Sequence, residues 1–423
     1  MGLLLDAVYA TGGVLASPWL VFKLSTDRRY RHRLGERFGR VAPSDRSPTL
    51  WIHCASVGEV NLAKPLLQRI RKDHPGLSFH VTTQTMAGRE NAEKSIPDAR
   101  VSYYPLDFTG SVRRAIGRIR PAGVVLVELE VWPNFVRRCA KEGVPVVVVN
   151  GRMSERSFRR YRRLKGLFGP VFRSLGAVGA QSEAVAERMR EFGVSPVVTG
   201  NLKYDAALGF DGGAAEREWR GLLGLGDAPV LVAGSTHDPE ERIVMDTYRR
   251  LRERVPGLRL VVAPRHLERV PEVEKVIEAA GQRCYKRSQI NPDGPSDGVV
   301  LLDTVGELAR VYSVATAVFI GGTFCSRGGQ NMLEPAALGK PILSGPSLSN
   351  FEEIARVLVE AGGMAVLDNP IDLARAAGEL LGDPARARRI GEKSLEAVRA
   401  GRGAIEASVE LIESKILRIL KGT

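Results

Sequence analysis

Carboxylates, hydroxyls and bases gather at a few points of the chain, each just after a short apolar run. Ser56-Val57-Gly58-Glu59 follows the run at 50–55. Gly58 permits a tight turn, and Glu59 then opens a helical pattern. Its carboxylate suits either a helix N-terminus or a general base. Glu128-Leu129-Glu130-Val131-Trp132-Pro133-Asn134 closes another apolar run with two carboxylates and an aromatic ring, a combination unusual enough to favour a site. Gly200-Asn201-Leu202-Lys203-Tyr204-Asp205 puts a lysine at the close of the first half.

The second half carries more. Gly234-Ser235-Thr236-His237 lies between a strand pattern and a helix pattern, where hydroxyls and backbone N–H groups can meet an anion. Pro264-Arg265-His266 ends the next strand pattern, and Val305-Gly306-Glu307 opens a helix. Gly321-Gly322-Thr323-Phe324 and Gly328-Gly329-Gln330-Asn331-Met332-Leu333-Glu334-Pro335 follow. A glycine pair before a helix lets backbone approach a phosphate, and Glu334 can accept from ribose hydroxyls. Such clusters gathered in one half point to a nucleotide site. The Gly-x-x-x-x-Gly-Lys-Ser/Thr phosphate loop, the Gly-x-Gly-x-x-Gly fingerprint and His-Glu-x-x-His are all missing, as is an Asp-x-Asp pair to hold a metal. Kinase, dehydrogenase and metalloprotease readings lose ground accordingly.

These residues need a scaffold of strand ends. Strand patterns at 50–55, 79–83, 124–127, 144–149, 177–180 and 197–198 alternate with helical patterns such as 60–72, 112–118 and 183–192. Nearly continuous apolar strands separated by helices predict a parallel sheet covered on both faces. A Gly- and Ala-rich stretch at 206–227 reads as a linker. The alternation restarts at 230–233, 258–262, 299–302, 317–320 and 341–343. The fold class is therefore α/β, with two doubly wound domains facing a cleft and ligands beyond the carboxyl ends of the strands. The domains are expected at 25–210 and 211–423, with the last helix able to pack back on the first domain.

The chain has 423 residues, 44% apolar and 26% charged, as in soluble globular proteins. Lys+Arg 61 against Asp+Glu 48 leaves +13, which favours an anionic partner. Aromatics at 6% are sparse for a protein that stacks on bases, so nucleic acid is not the expected partner. Cys54, Cys139, Cys284 and Cys325 are far apart, which predicts reduced thiols and no structural zinc.

Residues 3–22 are mostly apolar and just long enough to cross a bilayer. Residues 1–24 are read as a membrane anchor or span, weakened by Asp6, Gly12, Gly13 and Pro18. Lys23, Arg28, Arg29, Arg31, Arg33, Arg37 and Arg40 follow as a basic collar held on the cytoplasmic side. A second run, Arg152, Arg156, Arg159, Arg160, Arg162, Arg163 and Lys165, shares one helical pattern with Phe158, Tyr161, Leu164, Leu167 and Phe168. Two arginine-rich stretches in one half favour an anionic inner-membrane surface.

Taken together, these segments resemble the Kdo (3-deoxy-D-manno-octulosonic acid) transferases of lipopolysaccharide synthesis, membrane-associated glycosyltransferases of the GT-B type. The resemblance runs through Arg37-Phe38-Gly39, Trp51-Ile52-His53, Ser56 to Glu59, Glu130 to Asn134, Gly200 to Lys203, Ser235-Thr236-His237, Pro264-Arg265-His266, Gly306-Glu307-Leu308 and Asn331 to Pro335. It implies two Rossmann-like domains and an inverting, metal-independent enzyme without a cofactor. That enzyme moves Kdo from CMP-Kdo to a lipid A precursor (lipid IVA) on the cytoplasmic side of the inner membrane. Glu59 is then the base. An acid of the Glu128/Glu130 pair and Lys203 support the transition state. Ser235, Thr236, Pro264, Arg265, Val305, Gly306, Glu307, Asn331, Met332, Leu333 and Glu334 hold the CMP.

Arg265, Lys203 and helix N-termini would neutralise the single bridging phosphate without a divalent ion. Two departures stand out. Gln330 precedes Asn331 where the family commonly has histidine, and Thr85-Met86-Ala87-Gly88 replaces a Thr-Pro-Thr-Gly-like turn. His53 is read as a strand-packing residue. The rival readings are a nucleotide-sugar epimerase on the same scaffold and a non-enzymatic protein binding acidic lipid. The first has no use for the apolar N-terminus, and the second leaves Glu59, Arg265 and Glu334 without purpose.

Overall fold

The computed structural model describes residues 2–15, 17–26, 31–44, 48–209, 211–290, 294–295 and 297–417; Arg28 and Arg29 of the collar lie outside them. The chain divides into two compact units, Met1–Ala206 with Arg402–Thr423, and Ala207–Gly401.

In the first unit the valine- and isoleucine-rich runs form β1 (Thr49–His53), β2 (Ser78–Thr83), β3 (Arg100–Tyr103), β4 (Gly123–Val127), β5 (Val146–Gly151), β6 (Ala177–Ala180) and β7 (Val197–Val198). Their order is β3-β2-β1-β4-β5-β6-β7 and every pairing is parallel. β1, β4 and β5 are buried along their whole length, as strands covered on both faces must be. The order reverses between β1 and β4. Crossovers leave these two neighbours in opposite directions, which opens a crevice at their carboxyl ends.

The second unit repeats the plan with β8 (Val230–Thr236), β9 (Arg259–Pro264), β10 (Cys284–Lys286), β11 (Val299–Leu301), β12 (Ala317–Ile320), β13 (Ile342–Ser344) and β14 (Met364–Val366). The order is β10-β11-β9-β8-β12-β13-β14, again all parallel, and the reversal falls between β8 and β12.

Four features differ from the sequence-based expectation. The stretch read as a linker holds a helix, Gly212–Leu222, whose N-cap Asp211 accepts from Gly213 and Ala214 N–H and whose Trp219 is buried. The first unit ends at Ala206 rather than at 210; Arg402–Thr423 belongs to it as well, in line with the expectation that the last helix packs back on the first domain. The reason is hydrophobic: Val409, Leu411, Ile412, Ile416 and Leu417 join the core formed by Leu50, Ile52, Val60, Val125 and Val147. Asp205 clips the entry of this segment by accepting from Gly403 N (3.0 Å) and Ile405 N (3.1 Å). The second basic run spans two helices, Glu155–Arg163 and Lys165–Arg173, rather than one.

The fourth difference concerns the N-terminal segment, which forms two helices, Gly2–Leu15 and Ser17–Thr26. Among the described residues no helix is long and apolar enough to cross a membrane. Asp6, read as a flaw in a span, is a docking group. Its Oδ1 accepts from Thr109 N and Asn134 Nδ2, both at 3.0 Å. Tyr9 donates to Asp107, whose carboxylate also accepts from Asn134 N and Phe135 N at the start of helix Pro133–Lys141. Arg37 of the collar also turns inward, donating to the Gln84 carbonyl and lying over the Tyr103 ring.

The returning C-terminal segment closes against β4 where Gly123 leaves no room for a side chain; a Cβ there would meet Ile416 at 2.5 Å. Ile416 is fully buried. Ile416→Ala should therefore destabilise the first unit by about 2–5 kcal/mol, read as a lowered urea midpoint for that unit.

Candidate active site

In the first unit the candidate residues converge at the carboxyl ends of β1 and β4, where the strand order reverses. Ser56 caps helix Val57–Asp73 by accepting from Glu59 N, and the Glu59 side chain folds back over the cap. Ala55 N donates to Glu59 Oε2 (2.7 Å) and Ser56 Oγ to Oε1 (2.9 Å). Both jobs considered for Glu59 are thus compatible, because the cap orients a carboxyl that still titrates near neutrality. Burial raises it to about 7 against the pull of the Ala55 and Ser56 hydrogen bonds, and the charges of Glu128 and Glu130 push the same way.

Glu130 is displaced in the opposite direction. Burial raises it, but His53, Trp132 and Gln84 outweigh burial and hold the carboxyl below the ordinary glutamate value. Gln84 Nε2 donates to Oε2 at 2.8 Å and Trp132 Nε1 at 3.0 Å. His53 is more than a packing residue. Its Nδ1 donates to the Thr82 carbonyl at 3.0 Å, which can only accept, and Nε2 lies 3.9 Å from Glu130 Oε2, beyond hydrogen-bond distance. The ring stacks on Tyr104 with centroids 3.8 Å apart. Glu128 directly follows β4 with φ at 60°, a strained value for a residue with a side chain. Lys203, at the start of helix Leu202–Ala207, is lowered by burial, partly offset by the Glu128 carboxylate.

In the second unit Ser235 and Thr236 end β8. Ser235 has φ at 56°, and Thr236 is buried with its Oγ1 unpartnered among the described residues. Pro264 ends β9, and Arg265 N donates to the Thr236 carbonyl (3.0 Å) while its side chain faces solvent. Val305 is 83% exposed beside Gly306, whose φ of 86° suits glycine. Glu307 accepts from Thr304 and Arg287. Asn331 Nδ2 donates to Glu334 Oε1 (2.9 Å), while Asn331 Oδ1 accepts from Leu333 N (3.1 Å). Burial raises Glu334, and the Asn331 bond resists. Met332 and Leu333 are buried, so their side chains belong to packing and only their backbone can meet a ligand. Gln330 Nε2 lies 3.3 Å from His237 Nε2.

The glycine pairs do not offer free amides to a phosphate. Glu240, fully buried, already fills the nest after β12: its carboxylate accepts from Gly322 N (2.7 Å), Thr323 N (2.8 Å), Phe324 N (2.9 Å) and His237 N (2.9 Å). Gly328 N and Gly329 N are taken by Ser347 Oγ and the Gly322 carbonyl. Sequence reasoning missed Gln84, Glu240 and the role of His53. For Gln84 and His53 the only signal was a polar residue at the carboxyl end of a buried strand; Glu240 opens a helix, Glu240–Arg252, like any first-turn acid.

A family profile described as 3-deoxy-D-manno-octulosonic-acid transferase (kdotransferase) matches residues 32–206. The chain is 32% identical over 397 residues to the 3-deoxy-D-manno-octulosonic acid transferase of Haemophilus influenzae, covering 92% of this chain and 93% of that one. It is 31% identical to the corresponding transferase of Bordetella pertussis, covering 89% and 90%. Among solved structures it resembles the UDP-GlcNAc 2-epimerase of Neisseria meningitidis (TM-score 0.61, 14% identity, 87% and 100% covered). It also resembles CalG4, the calicheamicin glycosyltransferase (TM-score 0.52, 15% identity, 89% and 100% covered). At these identities the structural likeness shows the fold alone, the GT-B plan of two doubly wound α/β units.

Glu240→Gln keeps an acceptor for one pair of amides and turns an NH₂ group toward the other pair. Hydrogen bonds to a charged group are worth roughly 1.5–3 kcal/mol each, so with two of them lost the variant should lose about 3–6 kcal/mol of stability. Amide hydrogen exchange at Gly322 and Thr323 should quicken in parallel.

Proposed function

The chain belongs to the 3-deoxy-D-manno-octulosonic acid (Kdo) transferase family, glycosyltransferases of lipopolysaccharide synthesis, and on that premise we propose that it moves Kdo from CMP-Kdo to a hydroxyl of a lipid A precursor with inversion. The observation that carries the chemistry is the opposed displacement of two neighbouring carboxyls, Glu59 upward to about 7 and Glu130 downward. Neighbours pushed apart in this way divide the work of base and permanent anion. Glu59 takes the proton of the acceptor hydroxyl as its oxygen bonds to the anomeric carbon. The bond from that carbon to the CMP phosphate oxygen breaks on the opposite face, and CMP leaves with the electron pair. Glu130 keeps its charge throughout and favours the positive character that develops on the sugar. Lys203 balances anionic groups of the donor sugar. In the second unit Arg265, Glu307, Asn331 and Glu334 provide charge and hydrogen bonds for the nucleotide.

The same reading has the protein work at the anionic cytoplasmic face of the inner membrane, held in one leaflet. The helix Gly2–Leu15 is only about 21 Å long at 1.5 Å per residue. Asp6 and Tyr9 tie it to the first unit. Val8 and Phe22 are each 60% exposed, and Leu164 is exposed beside Arg159, Arg160, Arg162 and Arg163. Apolar side chains rimmed by arginines suit an acidic lipid surface.

Two outcomes test this. Transfer by the full chain should rise with pH through about 7 as Glu59 loses its proton. Glu59→Gln should cost about 10²–10⁴ in turnover with CMP affinity nearly unchanged. Near-normal turnover in the variant, or a donor preference for UDP, would overturn the assignment. Separately, the protein should bind vesicles containing acidic phospholipid more weakly as salt is added. At about 1 kcal/mol per charge, replacing Arg159, Arg160 and Arg163 together by Gln should weaken binding on the order of 100-fold. Equal affinity for neutral vesicles would count against the membrane reading.

A further inference from the structure

Asn150, near the end of β5, is in none of the sites above, yet it carries three costs at once. Its φ is 54°, in the left-handed region. The register of β5 against β6 slips between Val148 and Gly151, so Asn150 sits within an irregularity of the ladder, a device that re-aims side chains beside active sites. Its side chain is fully buried, and Nδ2 finds no hydrogen-bond partner among the described residues. A buried orphan donor and a strained backbone persist only where surrounding structure insists on them.

What Asn150 touches supplies the reason. Oδ1 accepts from Leu202 N at 3.0 Å, at the first residue of the helix that carries Lys203. Its main-chain carbonyl accepts from Gln181 Nε2 at 3.1 Å, beyond the end of β6. On the other side, Val127 pairs with Val149 in the β4–β5 ladder, so Glu128 is the register neighbour of Asn150. Glu128 N donates to the Val149 carbonyl at 2.9 Å. Asn150 therefore stands between Glu128 and the helix of Lys203, and the Lys203 ammonium feels the Glu128 carboxylate.

We propose that Asn150 is a positioning residue for sugar transfer, whose Oδ1 fixes helix Leu202–Ala207 so that Lys203 stays opposed to Glu128. The inference rests on the transfer reaction proposed above. Asn150→Gly tests it, because glycine adopts the left-handed backbone freely and removes the orphan donor while deleting the acceptor for Leu202 N. The variant should melt within a few degrees of the parent, yet lose about 10- to 100-fold in kcat, with KM for CMP-Kdo little changed. A residue serving only stability would leave kcat intact.

A double-mutant cycle with Lys203→Ala completes the test. If Asn150 acts through Lys203, the double variant should be no slower than Lys203→Ala alone. Losses that multiply, or a kcat for Asn150→Gly near that of the parent, would overturn the proposal. If the unaltered full chain transfers no Kdo from CMP-Kdo, the functional reading itself fails. In that event quickened amide exchange at Leu202 in Asn150→Gly would still show whether Oδ1 holds the helix, and unchanged exchange would refute it.

Discussion

Neighbouring parallel strands whose crossovers depart in opposite directions cannot both be covered at their carboxyl ends. That constraint governs each unit. Between β1 and β4 the uncovered ground is occupied by His53, Glu59 and the Glu128–Glu130 stretch; between β8 and β12 it holds Ser235, Thr236 and the loop after Ile320. The strands are buried on both faces, so their ends are rigid platforms. The polar residues that follow them inherit that rigidity, as precise placement of reacting groups demands.

Burial then sorts the charges. A carboxylate removed from water is stabilised only by donors aimed at it, and three buried or half-buried glutamates meet this in different ways. Glu240 has four backbone amides and ties the loop after β12 to His237. Glu130 has two side-chain donors and a histidine ring nearby. Glu59 has one amide and one hydroxyl while facing two other acids. Glu59 and Glu130 have two donors each, so what separates them is their surroundings: two like charges push Glu59 up, and the His53 ring helps to hold Glu130 down. Glu59 is left as the one suited to exchange a proton.

Much of this is legible in the residues themselves, and the exceptions have physical causes. Central strands announce themselves because Val and Ile run unbroken through them. The edge strands β3, β10 and β14 are only three or four residues long and carry no such run. The helix at Gly212–Leu222 hides behind glycine and alanine, and tertiary burial of Trp219 overrides the weak propensity. Glu59 stands out by following a strand and a glycine. Glu240 looks like an ordinary first-turn acid, since three of its amide partners lie more than 80 residues away. Asp6 was legible as an oddity in an apolar stretch, but its partners Thr109 and Asn134 belong to helices that no local pattern connects to it.

The return of Arg402–Thr423 to the first unit has a bearing on how the molecule is made. The second unit is one uninterrupted stretch of chain and can close its core as soon as it emerges from the ribosome. The first unit cannot, because Ile412, Ile416 and Leu417 help to cover one face of its sheet and are synthesised only after the whole second unit. Until they arrive, the part of that face around Gly123, Val125 and Val147 lacks their cover, at a stage when unfinished chains are most prone to associate. An early-synthesised half that closes only after the later one is complete makes the folding of the first unit wait on the synthesis of the second.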